Sequence, residues 1–80
     1  MKLPRDIDAK KLVNLLSRYG YQISRQTGSH IRLTTSENGE HHTTIPLHNP
    51  LRVGTLNGII SDVASHQGKS KEMIIQELFK

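Results

Sequence analysis

The dipeptide Asn38-Gly39 constrains this chain more than any other local feature. Both residues tolerate positive φ, so the pair is a strong hairpin signal, and alternating apolar residues flank it on either side. Before the turn, Ile31, Leu33 and Thr35 share one parity and His30, Arg32 and Thr34 the other. After it, His41 to Leu47 places Thr43, Ile45 and Leu47 on one face and His42, Thr44, Pro46 and His48 on the opposite face. Two antiparallel strands are therefore predicted, each with one buried and one solvated side. Pro46 has no N–H to donate and belongs at an edge or a strand end. A shorter alternation over 21–26, with Tyr21 and Ile23 against Gln22 and Ser24, predicts a further strand ahead of this hairpin.

Helices surround the strands in the sequence. Asp8 can cap a helix over about 9–19 whose apolar positions Ala9, Leu12, Val13, Leu16 and Tyr19 recur at helical spacing, and Gly20 stands where a left-handed stop is wanted. Gly54-Thr55 opens a second helix carrying Leu56, Ile59, Ile60, Val63 and Ala64, and Gly68 ends it. Ser70 caps a last helix over about 71–79 with Ile74, Ile75, Leu78 and Phe79 on its apolar side. The reading is an α+β fold in the order α-β-β-β-α-α, with a three-stranded antiparallel sheet in chain order and helices on one face. Residues 1–80 form a single domain in this reading, because a chain of 80 residues closes only one apolar core. With one Phe, two Tyr and no Trp, that core is aliphatic.

Zero cysteines exclude a disulfide framework and any thiolate metal site. No apolar run approaches the roughly 20 residues of a membrane span, and the first residues lack a signal-peptide stretch. The chain is accordingly expected in the cytoplasm, away from membranes and monomeric when free.

The formal net charge of +4 is unevenly placed: residues 1–32 carry seven Lys and Arg against two Asp, and residues 33–80 four against five acids. A one-sided positive field attracts polyanions, so nucleic acid and an acidic protein are the partners to consider. With helices on the Ile31, Leu33 and Ile45 side of the sheet, His30 and Arg32 fall together on the open side. An imidazole can take or give a proton near neutral pH, and a fixed guanidinium can stabilise phosphorane charge. Gly28 lets a ligand approach the backbone and Ser29 offers a hydroxyl beside the ring. His30, with Arg32 or Arg25, could thus cleave RNA without a metal. Lys10 and Lys11 on the first helix extend the electrostatic footprint, and His48 is a candidate substrate contact.

Each of these residues also has a plainer reading, as a solvated helix face or an unengaged surface histidine. Metal binding is disfavoured: His41 and His42 are strand neighbours aimed at opposite faces, and His42 and His48 lie roughly 20 Å apart at about 3.3 Å per residue. No cofactor is implied. Nucleophilic triads, glycine-rich phosphate loops and carboxylate pairs are absent from the sequence, and so are the aromatic platforms on which single-stranded bases stack.

The segment Arg25-Gln26-Thr27-Gly28-Ser29-His30, followed by Ile45-Pro46-Leu47-His48 and Gly54-Thr55-Leu56, resembles the HicA (YcfA-like) family of small mRNA interferases across most of residues 4–66. The resemblance implies a fold like the double-stranded RNA-binding domain, metal-independent cleavage of mRNA, a HicB-like antitoxin as partner, and a catalytic role for His30. Ile31 stands where relatives often carry a second His or an aromatic residue, and the helix at 70–79 extends past the shortest members. A non-catalytic RNA-binding module using the same basic surface is the alternative. A pure protein-interaction domain would differ from both in showing no salt-dependent RNA affinity.

Overall fold

The computed structural model describes residues 3–79. Helix α1 (Ala9–Leu16) runs into a 3₁₀ turn (Ser17–Tyr19), followed by β1 (Gln22–Gln26), β2 (His30–Thr35), β3 (His41–Pro46), α2 (Val53–Gln67) and α3 (Lys71–Leu78). The strands form one antiparallel sheet in the order β1-β2-β3. This is the α+β order read from the sequence, and its punctuation is local. Asp8 accepts from the Lys11 N–H at 2.7 Å, Ser70 from the Met73 N–H at 3.1 Å. Gly20 (φ 81°) and Gly68 (φ 67°) close their helices in the left-handed region, and Asn38 (φ 59°) and Gly39 (φ 93°) reverse the chain within the loop 36–40, between the opposed Thr35 and His41.

Register decides the faces. Directly opposed residues in an antiparallel pair point to the same side. Ile31 opposes Ile45 and Leu33 opposes Thr43, and all four are buried beneath the helices, whereas His30, Arg32 and Thr44 are exposed on the other side. Leu12 and Leu16 of α1, Leu56, Ile60 and Val63 of α2, and Ile74 of α3 complete one aliphatic core with Tyr21. Tyr19 and Arg18, just past α1, tie to α3: the Tyr19 hydroxyl donates to the Glu77 carboxylate, Arg18 donates to the Glu77 carbonyl, and Lys69 pairs with Glu77 at 3.0 Å.

Three expectations are corrected. Ile23, expected to share the buried side with Tyr21, is half exposed (50%), because β1 is an edge strand and the helices do not reach over its outer rim. The first helix is α-helical only to Leu16 and tightens to 3₁₀ before Gly20. The second helix starts at Val53, with Arg52 as an N-cap that makes no side-chain bond, so Gly54-Thr55 lies inside its first turn.

Candidate functional site

The turn from β1 to β2 is built by a residue the sequence reading passed over. Thr27 donates its N–H to the His30 carbonyl at 2.9 Å, and its hydroxyl accepts from the His30 N–H at 3.1 Å and the Ser29 N–H at 3.4 Å. A threonine bonding backbone two and three residues ahead is a local turn signal, legible in principle from Thr27-Gly28-Ser29. The far end of the turn is held by β3: the Leu47 N–H donates to the Ser29 carbonyl at 2.9 Å, and Pro46 opposes His30. His30 thus begins β2 on a backbone fixed from both sides, while its side chain stays on the open face. The ring Nδ1 meets the Ser29 hydroxyl at 2.9 Å, and Nε2 has no partner among the described residues. A Cβ at Gly28 would meet no atom within 4 Å, so its missing side chain makes no room for any part of this protein.

Arg25 joins His30 through an irregularity in β1. Ile23 opposes Leu33 and Arg25 opposes Arg32, so two residues of β1 advance against one of β2, and Ser24 is the surplus member of a bulge. Without it, strict alternation would put Arg25 on the helix side with Ile23. The Ser24 hydroxyl donates to the Arg32 carbonyl at 3.3 Å and meets the Thr34 hydroxyl at 2.8 Å, which anchors the bulge to β2. Arg25 and Arg32 therefore face each other on the open side. Neither guanidinium has an ion-pair or hydrogen-bond partner among the described residues.

The fold does not gather every candidate. His48 follows β3 in an exposed turn, its N–H donating to the Pro46 carbonyl at 2.9 Å, two residues beyond the partner of His30. Lys10 and Lys11 are exposed on α1, which covers the opposite face of the sheet. Lys10 lines a cleft of ≈ 280 Å³ between α1 and the β1 edge with Val13, Asn14, Ile23 and Gln26. A ligand seated on the open face meets Lys10 only by turning around that edge.

His41 and His42 separate as their adjacency requires. His42, on the open face, bonds Thr34 at 2.7 Å through Nδ1 and Glu40 at 2.7 Å through Nε2. His41 turns toward the helices, where Nδ1 meets the Tyr21 hydroxyl at 2.7 Å, Nε2 lies 3.4 Å from Asp62, and the ring stacks on His66 at 4.5 Å. His66 in turn donates through Nε2 to the Glu37 and Gly39 carbonyls and pins the hairpin to α2. Burial pushes the Tyr21 phenol above its ordinary range. Among the described residues no group of three or more His, Cys, Asp or Glu is placed to hold a metal ion. No described helix is long and apolar enough to cross a membrane.

The fold and this face together define a small α+β protein that buries one side of its sheet and leaves the other polar, cationic and open. Residues 9–64 match the family described as HicA toxin of bacterial toxin-antitoxin, and the chain belongs to that family. It is therefore the toxin component of a toxin–antitoxin system, with an antitoxin as its partner. No curated protein and no solved structure matches the chain.

Proposed function

We propose that this toxin is a metal-independent endoribonuclease that cleaves mRNA in the cytoplasm, with His30 as general acid/base, and that a HicB-like antitoxin neutralises it. One observation carries the reading: His30 presents an unengaged Nε2 on the same open face as two arginines that have no carboxylate partner among the described residues. RNA needs little more than this to break. Removal of the 2′-hydroxyl proton lets that oxygen attack the adjacent phosphorus, and the departing 5′-oxygen takes up a proton as its bond to phosphorus breaks. An imidazole held by backbone at Thr27 and by the Ser29 hydroxyl is positioned to move such a proton. Arg25 and Arg32 supply charge to the phosphate backbone, with the exposed Gly28-Ser29 turn and His48 at the border of the contact.

The test compares purified wild-type protein with His30→Ala on single-stranded RNA in the presence of EDTA. Cleavage by the wild type is expected to persist in EDTA, and the variant should cut on the order of 10²- to 10⁴-fold more slowly while binding RNA nearly as well. Equal cutting by both proteins, or dependence on a divalent cation, removes the assignment. Binding by both with cutting by neither establishes a non-catalytic RNA-binding module instead.

A further inference from the structure

The two arginines stand at a defined step from His30, and that step says which phosphate they hold. His30 and Arg32 are separated by two residues of β2, about 7 Å at the usual strand rise, and side chains of a sheet stand roughly perpendicular to it. The interval is that between successive phosphates of an extended single strand. Arg25 does not lengthen the row, because the bulge sets it directly opposite Arg32.

Like charges opposed across a ladder repel, and no carboxylate among the described residues pairs with either arginine. The acid at this face, Glu40, is engaged with His42 beside Thr34, one further step along β2. Two opposed arginines with no acid partner among the described residues suit the clamping of one anion, because each guanidinium presents a donor fork matched to phosphate oxygens.

We infer that Arg25 and Arg32 together bind the phosphate one nucleotide away from the scissile one, in a single RNA strand laid along β2. This rests on the ribonuclease reading and deepens it: the sequence alone suggested that either arginine could serve the phosphorane at His30, and the register assigns the pair to the neighbouring position. The fixed charge forms one row, along β1 and β2, while β3 offers Thr44, His42 and Pro46. A duplex presents two phosphate backbones across a groove, and this sheet is only about 10 Å wide across its strands. No Phe, Tyr or Trp among the described residues lies on the open face, so the strand is gripped chiefly by its backbone and not by stacked bases.

The experiment uses mixed-sequence single-stranded oligonucleotides with one ribonucleotide in a deoxy chain, which fixes the linkage that can be cut. In companion substrates the linkage immediately before or after it is a neutral methylphosphonate. On one of the two sides, neutralisation should lower kcat/KM about tenfold or more for wild-type protein, and should cost nothing further when Arg25→Ala and Arg32→Ala are combined. In parallel, the His30→Ala protein should bind single-stranded RNA more tightly than the matching duplex. Adding the two arginine substitutions should flatten its log–log salt dependence by about 0.7, the value for one phosphate of a single strand. Their melting temperature should stay level or rise, since a repulsive pair has been removed.

A neutral linkage without effect on either side overturns the proposal, as does a penalty that persists in the double variant, or duplex bound as tightly as single strand. If the wild-type protein cuts none of these substrates, the ribonuclease reading fails, and the salt dependence still decides whether the pair grips a phosphate.

Discussion

Replacing Thr35 by Val tests whether the end of β2 is held by a buried hydroxyl. Thr35 is 1% exposed, its Oγ1 donates to the Tyr19 carbonyl at 2.9 Å, and it accepts from the Glu37 N–H at 3.1 Å. One oxygen thus joins the turn after α1 to the strand and begins the hairpin. Valine keeps the shape and strands both backbone groups. Two lost bonds at about 0.5–1.5 kcal/mol each, with the added apolar burial of a methyl worth up to about 0.8 kcal/mol in return, leave a destabilisation of about 1–2 kcal/mol. For a domain of this size that lowers Tm by roughly 5–15 °C. Urea unfolding followed by circular dichroism is the assay, with the midpoint falling at unchanged slope. Thr43→Val is the control: Thr43 is also buried, at 7%, opposite Leu33, and makes no side-chain hydrogen bond among the described residues. Its replacement is expected to be neutral or mildly stabilising. If the two variants shift the midpoint equally, burial alone accounts for Thr35 and the bridging role is refuted.

Gly20→Ala should destabilise by more than Gly68→Ala, measured in the same melts. Both glycines are left-handed, which costs an alanine about 1–2 kcal/mol, but only at Gly20 would the new Cβ meet atoms, at 2.9 Å from Thr35 Oγ1 and 2.7 Å from Glu37 Cδ. The Tyr19 hydroxyl, and after it Lys69, hold the Glu77 carboxyl below its ordinary 4.5. Glu77 therefore contributes stability that is present above about pH 4.5 and is lost as pH falls through its lower folded value. In acid titrations of unfolding free energy, Glu77→Gln should flatten that decline, and an unaltered acid limb would place it elsewhere.

What could be read in the sequence was whatever a short window decides. Asp8, Gly20, Asn38-Gly39, Gly68 and Ser70 each act on backbone within four residues, and each performs its expected role in the structure. Parity along β2 and β3 sorted His30 and Arg32 from Ile31 and Leu33 correctly, because in both strands one face is packed under the helices and the other is left to solvent. β1 escaped the same logic. Its outer edge pairs with nothing, so Ile23 is not forced inward, and a bulge shifts the alternation by one residue without leaving any compositional mark. Contacts that cross the chain were equally invisible: no local pattern announces that His66 would hold the hairpin or that Asn49 would accept from the Ala9 N–H at 3.3 Å. The separation of Lys10 and Lys11 from the His30 face follows from which side of the sheet α1 covers, a consequence of packing that charge counting does not register.

The surplus residue at Ser24 makes β1 a strand in two phases. Ahead of it, Ile23 keeps the phase of Leu33 on the helix side; behind it, Arg25 takes the phase of Arg32 on the open side. Taking Ser24 out would cost its bonds to Arg32 and Thr34 but would keep Ile23 opposite Leu33 and Arg25 opposite Arg32, whereas a deletion in a regular strand would turn every following side chain over. Length variation at this point is thus separated from the pairing, and Arg25 keeps its place opposite Arg32 with or without the surplus residue.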